Sequence, residues 1–147
     1  MDMPPALAAI FPTIFAAFLG AIIGAEREWR RHPGGLRSAA LVSGAASVFA
    51  QMALTYAPGS QGAALGAVAT GIGFLGAGVI VRQGDHVRGL STAATYWAVA
   101  AIGSAAGAQA YAKAIALAVV VVFAHVVLRP LSAWIETKAP PEDPGPR

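Results

Sequence analysis

The fold is decided by Gly66-Ala67-Val68-Ala69-Thr70-Gly71-Ile72-Gly73-Phe74-Leu75-Gly76-Ala77-Gly78-Val79-Ile80-Val81. This stretch is apolar over nearly the 20 or so residues that a helix needs to cross a bilayer. Glycine inside a helix costs roughly 1 kcal/mol relative to alanine in water, but in lipid the backbone must satisfy its own hydrogen bonds, so a helix is still predicted. Small residues let neighbouring helices approach closely. We therefore expect the central helix of a small bundle, packed through Gly71, Gly73, Gly76 and Gly78.

The composition indicates a membrane protein with no room for a separate soluble domain. Of the 147 residues, 56% are hydrophobic and 12% are charged, whereas about 25% of the residues in soluble domains are charged. There is no cysteine, which excludes disulfides, thiolate metal sites and cysteine nucleophiles. The net charge of +3 is concentrated in the loops, so it indicates membrane topology rather than nucleic-acid binding.

The rest of the chain repeats the apolar pattern, and we predict an all-α membrane protein, a compact bundle of about five transmembrane helices. The predicted spans are residues 6–25, 38–56, 63–81, 92–108 and 113–128, within a transmembrane domain of residues 1–130. Pro130 is expected to end the last span. Residues 131–147 are rich in proline and are expected to form a short disordered cytoplasmic tail.

The basic residues predict how the bundle is oriented. Four arginines lie between the first two spans and two lie between the third and the fourth, whereas the loop between the second and the third has no charge. Loops rich in lysine and arginine stay in the cytoplasm. The N-terminus is therefore predicted outside and the C-terminus in the cytoplasm.

Charged residues gather at the predicted cytoplasmic ends of the spans. Glu26 and Glu28 point about 200° apart on a helix, so they cannot chelate one ion together. One interpretation is a solvated cluster that fixes topology, in which Glu26 pairs with Arg30 at i+4. The other is that Glu26 faces the bundle and binds a cation or pairs with Arg37 or Arg88.

Weaker polar signals lie along the spans themselves. Ser43, Ser47 and Gln51 recur every four residues and form a polar stripe. The stripe is expected either to hydrogen-bond with Thr70 or Thr95 on neighbouring helices or to line a hydrated crevice.

Two further signals bear on ion transport and metal binding. His125 is expected to be a packing or interfacial residue rather than a ligand. No acidic or basic residue falls in the middle of a predicted span, which argues against an ordinary ion-coupled transporter but not against a pore lined by hydroxyls.

Three motifs together resemble the MgtC/SapB family. The first is Gly24-Ala25-Glu26-Arg27-Glu28 followed by Gly35-Leu36-Arg37-Ser38-Ala39-Ala40-Leu41-Val42, and the second is Gly71-Ile72-Gly73-Phe74-Leu75-Gly76-Ala77-Gly78-Val79-Ile80. The third is Val87-Arg88-Gly89-Leu90-Ser91-Thr92-Ala93-Ala94 with Trp97-Ala98-Val99-Ala100-Ala101-Ile102-Gly103. The family usually has threonine at the positions of Ser38 and Ser91. Many members also carry a C-terminal cytoplasmic domain, so the chain resembles a short member without it.

The resemblance implies a multi-pass protein of the bacterial inner membrane that is linked to magnesium homeostasis, stress adaptation and, in pathogens, virulence. Some members of the family act by binding other membrane proteins, including the ATP synthase. By matched position, the resemblance implies a functional polar cluster of Glu26, Arg27, Glu28, Arg37, Ser38, Asp85, Arg88, Gly89 and Thr92.

We therefore expect a non-enzymatic regulator of another membrane protein, and the alternative is a transporter or channel for Mg²⁺ or another cation. Mg²⁺ keeps several waters and needs only one or two carboxylates, so Glu26 and Asp85 are the candidate ligands and Mg²⁺ is the one possible cofactor. The expected partners are the lipid bilayer, further copies in a homodimer or larger homo-oligomer, and another membrane protein, but not nucleic acid. An enzyme is not expected, because no nucleophile–base pair is visible.

Overall fold

The computed structural model describes residues 5–84 and 86–139, and nearly all of them are helical. The long helices are α1 (Pro5–Trp29), α2 (Leu36–Tyr56), α3 (Gln61–Val79), α4 (Leu90–Gly107) and α5 (Tyr111–Phe123). A π-helical segment (Ala124–Leu128) and α6 (Arg129–Glu136) continue directly from α5. Between α3 and α4, where a loop was expected, β1 (Val81–Gln83) and β2 (His86–Arg88) form a two-stranded antiparallel hairpin.

Four of these helical stretches are long and apolar enough to cross a membrane. They are Leu7–Trp29, Leu36–Tyr56, Gln61–Val79 and the continuous Tyr111–Glu136. The chain is thus a multi-pass membrane protein with five long helical stretches. The fourth predicted span corresponds to α4, a helix of 18 residues, and its crossing of the bilayer stays a prediction, as does the orientation of the termini.

The central helix is α4 rather than the glycine-rich α3, so this prediction was wrong. α4 contacts α1, α2, α3 and α5, and eight of its residues are buried. In α3 only Gly76 is buried. The physical reason is that a small residue permits close packing without requiring it, and α4 combines small residues with larger ones that fill the core.

Close backbone contact is made by glycines of α4. A Cβ added at Gly103 would lie 2.0 Å from the carbonyl oxygen of Ser43, and one at Gly107 would lie 2.2 Å from that of Ser47. Both carbonyls belong to α2, so no larger residue fits unless the two helices separate. This is the packing through small residues that membrane helices use in place of a hydrophobic driving force.

The glycines of α3 that were expected to pack are mostly open. A Cβ added at Gly71, Gly73 or Gly78 would meet nothing within 4 Å, whereas one at Gly76 would lie 3.4 Å from the Cβ of Ala93 in α4. Within the described chain, α3 thus packs closely through one glycine of the four.

The apolar core lies between α1, α2, α4 and α5. Its largest fully buried members are Ile23 of α1 and Val99 and Ile102 of α4, and alanines supply much of the remainder. Small side chains keep the four helices close, and the polar ends of α1 and α4 are thereby brought together.

The last span does not end at Pro130, because the chain stays helical to Glu136. A proline ring collides with the carbonyl four residues earlier in a regular α-helix. Here the π-helical segment precedes Pro130, and its i→i+5 pattern widens the helix where that collision would occur. The first residues of the predicted tail are therefore helical, and residues 140–147 lie outside the described residues.

Candidate functional site

A polar cavity of about 740 Å³ lies where the end of α1, the start of α4 and the π-helical segment meet. We call it the basic cavity. Its charged, histidine and hydroxyl residues are Glu26, Arg27, Arg30, His32, Arg88, Ser91, Thr92, His125, Arg129 and Ser132.

Arg27 is the buried centre of this region, with 2% of its surface exposed. It lies one helical turn after the buried Ile23, on the inner face of α1. Its Nε and Nη2 donate to the carbonyl oxygen of Pro33 at 3.1 and 3.0 Å. Nη2 also donates to Thr92 Oγ1 at 2.7 Å, and Nη1 to Thr95 Oγ1 at 3.1 Å. The guanidinium thus ties α1, the following loop and α4 together, and these acceptors are all neutral.

Glu26 faces the bundle, and its carboxylate contacts two basic side chains, Arg30 and His125. Arg30 forms the i+4 ion pair that the spacing predicts. His125 Nδ1 lies 3.1 Å from Glu26 Oε2. The alternative pairing of Glu26 with Arg37 or Arg88 is not among the ion pairs of the described residues.

The hydrogen bonds around Thr95 determine which nitrogen of His125 carries a proton. The Thr95 hydroxyl donates its single hydrogen to the carbonyl oxygen of Ser91 at 2.7 Å, so it can only accept from Arg27 and from His125 Nε2, which lies 3.1 Å away. By this count Nε2 is the donor to Thr95, and Nδ1 faces the Glu26 carboxylate.

His32, in the loop after α1, lies in the positive electrostatic field of the arginines that line the basic cavity. Partial burial lowers the pKa of His32 below 6.5, and the positive charges of Arg129 and Arg27 lower it further. His32 is therefore neutral at pH 7.

The structure brings part of the predicted polar cluster into one place. Glu26, Arg27, Arg88, Gly89 and Thr92 all line the basic cavity. They come from the end of α1 and from the hairpin and first turn that open α4. The predicted residues of these two motifs, far apart in sequence, thus share one site.

Other predicted residues lie elsewhere. Glu28 accepts a hydrogen bond from the backbone N–H of Leu36 at 2.9 Å and so fixes the start of α2. Arg37 and Ser38 are exposed in the first turn of α2 and do not line the cavity. Asp85 lies outside the described residues.

Gly89 has a structural role at the edge of the cavity. Its φ of +93° is in the left-handed region, and a Cβ there would lie 1.9 Å from the carbonyl oxygen of Val79. Both conditions require glycine. The residue turns the chain sharply from β2 into α4 and so positions the first turn of that helix.

Sequence reasoning missed several residues of the site. His125 was expected to pack rather than to contact Glu26, and His32, Thr95 and Arg129 were not proposed. A titratable side chain in an apolar helix is a signal that could have identified His125. Its contact depends on the π-helical segment, which sequence periodicity does not reveal.

The polar stripe of α2 is buried and contacts α1. Ser43 and Ser47 are fully buried. Gln51 Nε2 donates to Thr13 Oγ1 at 2.9 Å, so the interhelical partner is Thr13 instead of the expected Thr70 or Thr95. The Thr70 hydroxyl donates to the carbonyl oxygen of Gly66 in its own helix.

The described residues do not favour a metal site at Glu26. Across residues 5–84 and 86–139, no group of three or more His, Cys, Asp or Glu side chains is placed to hold a metal ion. Glu26 itself is occupied by Arg30 and His125. Magnesium would need to displace both and to enter a cavity in which arginine predominates.

Comparison with known proteins gives a consistent result. The model of the MgtC family matches residues 14–134. Protein MgtC of Salmonella typhimurium strain LT2 is 46% identical over 124 residues, which are 82% of this chain and 54% of that protein. Protein MgtC of Brucella abortus strain 2308 is 40% identical over 125 residues, which are 84% of this chain and 52% of that protein. The chain spans about half the length of these relatives, and no solved structure matches it.

Proposed function

Since this chain belongs to the MgtC family, we propose that it is a non-enzymatic protein of the bacterial inner membrane that regulates another membrane protein during magnesium limitation. The observation that carries the proposal is the outer face of α3, which we define by Gly62, Gly66 and Gly73. The N-terminus is outside and the C-terminus in the cytoplasm in this proposal.

The outer face of α3 suits contact with a transmembrane helix of a partner. Gly62, Gly66 and Gly73 are spaced by four and seven residues and so share one side of the helix. A Cβ added at any of them would meet nothing within 4 Å. Beside them Phe74 is 81% exposed. A smooth glycine surface next to an aromatic side chain lets a second backbone approach closely and gives it an apolar contact.

The charge of the basic cavity favours a regulator over a cation conduit. Four arginines and one glutamate line the cavity. A pore selects against ions whose charge matches that of its lining. The Glu26 carboxylate, which was the candidate cation ligand, is paired to Arg30 and His125. Transport of Mg²⁺ is therefore the less favoured function.

Site-specific photo-crosslinking in native membranes tests the docking surface. A photoreactive phenylalanine analogue at Phe74 is expected to capture a partner membrane protein. The same analogue at Leu41, which is 72% exposed on α2, should not capture it. The substitutions G66L and G73L should abolish the Phe74 adduct, whereas G78L, on another side of α3, should leave it. If a second copy of the chain is the only protein captured, the outer face of α3 is a homo-oligomer interface, and the proposed regulation of another protein is contradicted.

Mg²⁺ flux into proteoliposomes tests the competing function. We expect the purified protein to give no flux above that of empty liposomes. Saturable flux that E26A abolishes would contradict the regulator and favour the conduit.

A further inference from the structure

The basic cavity has the chemistry of an anion site, and we propose that it binds a phosphate group, carried either by the headgroup of an acidic phospholipid or by a small soluble phosphate. This inference does not depend on the regulatory role, because it concerns what occupies the cavity rather than what docks on α3.

The first argument is the charge of the cavity wall. Arg27, Arg30, Arg88 and Arg129 line it, and among the residues that the structure describes Glu26 is the one acidic residue in the lining. Glu26 is in turn paired with Arg30 within the wall. Three arginines are thus left without a compensating carboxylate in the cavity lining, and the hydrogen bonds of Arg27 all end on neutral oxygens.

The second argument is the first turn of α4, which contributes Ser91 and Thr92 to the cavity. The first N–H groups of a helix have no partner within the helix, and no side chain caps this end. They carry a partial positive charge and favour a bound anion. Gly89, which also lines the cavity, leaves this end open to an approaching ligand.

The third argument is access to the charged donors. Arg88 and Arg129 are exposed, whereas Arg27 is buried and held in place. Arg88 and Arg129 lie on two different elements, so their guanidinium groups can approach one ligand from two sides. The five N–H groups of Arg27 all donate within the protein, so Arg27 contributes its charge but no hydrogen bond to the ligand. Planar guanidinium forks match the oxygens of a phosphate two at a time. A cavity of about 740 Å³ is within the usual range of ligand sites, roughly 300–1,000 Å³.

A phosphate fits better than a carboxylate for two reasons. Inorganic phosphate or a phosphate monoester carries a charge of up to two and at least three terminal oxygens, which match the uncompensated arginines and the helix N-terminus. A carboxylate offers one charge and two oxygens, as does the phosphodiester of phosphatidylglycerol, for which the position of the cavity is the stronger reason. The cavity also lies at the C-terminal end of α1 and the start of α4, and this proposal places that end at the level of lipid headgroups. Basic pockets between transmembrane helices are known to hold phospholipid headgroups.

Isothermal titration calorimetry of the purified full chain in a neutral detergent tests the proposal. One arm uses inorganic phosphate, a second uses dihexanoyl phosphatidylglycerol, and dihexanoyl phosphatidylcholine serves as the zwitterionic control at equal ionic strength. The test variant is R88Q/R129Q, which removes two exposed donors from the wall. The matched control is R31Q/R82Q, which removes the same charge from residues outside the cavity lining. Circular dichroism confirms that both variants fold.

We expect R88Q/R129Q to raise the dissociation constant at least tenfold and R31Q/R82Q to change it less than twofold. If phosphatidylglycerol binds but inorganic phosphate does not, the site is supported and its ligand is a lipid headgroup. If both bind, the site is supported and a small soluble phosphate can also occupy it. No binding of either ligand at millimolar concentration would overturn the proposal. An equal loss in the two variants would also overturn it, because it would indicate diffuse attraction to a basic surface.

An independent readout is the proton resonance of His32 in an NMR titration. An anion in the cavity cancels part of the positive field at this residue, so the pKa of His32 should rise when phosphatidylglycerol or phosphate binds. An unchanged pKa at saturation would place the ligand elsewhere on the protein.

Discussion

Replacement of Arg27 by methionine should destabilise the protein more than that of any exposed arginine. R27M keeps a long side chain but removes the fork that joins α1, the loop at Pro33 and α4. It also leaves the Pro33 carbonyl and two threonine hydroxyls of α4 without their donor. Because the residue is buried, water replaces these hydrogen bonds poorly.

The magnitude follows from the contacts that are lost. Five hydrogen bonds of 2.7–3.4 Å join the guanidinium to Pro33, Ser91, Thr92 and Thr95. A hydrogen bond to a charged group contributes about 1.5–3 kcal/mol, but two of the five share one carbonyl, the one to Ser91 is long, and methionine avoids the cost of burying a charge. We therefore expect a loss of about 3–5 kcal/mol, similar to that of breaking a buried ion pair. For a chain of this size, this corresponds to a fall in Tm of roughly 6–20 °C.

Thermal unfolding in detergent, followed by circular dichroism, measures this loss. R27K tests the guanidinium fork separately from the charge, because an ammonium group cannot reach the Pro33 carbonyl and both hydroxyls at once. R27K should lose at least half as much stability as R27M. The control R31Q changes an exposed arginine and should stay within about 0.5 kcal/mol of wild type. A fall in Tm of less than about 2 °C for R27M, or a wild-type Tm for R27K, would refute the reasoning.

Three further predictions concern packing and protonation, and thermal unfolding measures all of them. G103A should destabilise the protein by about 1–3 kcal/mol, because its Cβ would press on the carbonyl oxygen of Ser43. The control G71A places its Cβ in open space and should change stability by less than about 1 kcal/mol. Equal effects of the two variants would contradict the close packing at Gly103. The pKa of His32 is lowered below 6.5 in the folded protein. The contribution of His32 to the free energy of unfolding is therefore complete above pH 6.5 and is lost as the pH falls through the lowered pKa. H32Q should remove this part of the pH dependence. E26Q should be milder than E26L, since an amide N–H can donate to Nδ1 of His125, and the reverse order would contradict this contact.

The sequence predicted the local features of the fold and site well. Apolar length located the helices, because in lipid the backbone has few alternatives. The i+4 spacing predicted the ion pair of Glu26 with Arg30, which depends on helix geometry alone. The motif positions Arg27, Arg88 and Thr92 were proposed together, and the fold brings them to one cavity.

Tertiary choices were not predictable from the same signals. Glycine content marks where close approach is possible, but it does not say which side of a helix is covered. The glycines of α3 therefore predicted a central helix, whereas the close backbone contacts are made by Gly103 and Gly107 of α4. Similarly, Thr92 and Thr95 of α4 and Gln51 of α2 have several possible partners, and the packing of α1 selects Arg27 for the threonines and Thr13 for the glutamine.

The role of Pro130 explains why the end of the last span matters for the site. In a regular α-helix the proline would bend or end the segment, and the residues after it would leave the bundle. The π-helical segment instead accommodates the proline and turns His125 towards Glu26. Arg129, the next residue after that segment, lines the same cavity. The irregular segment before one proline thus carries His125 and is followed by Arg129, and both line the basic cavity, so P130A should displace both when it restores a regular helix.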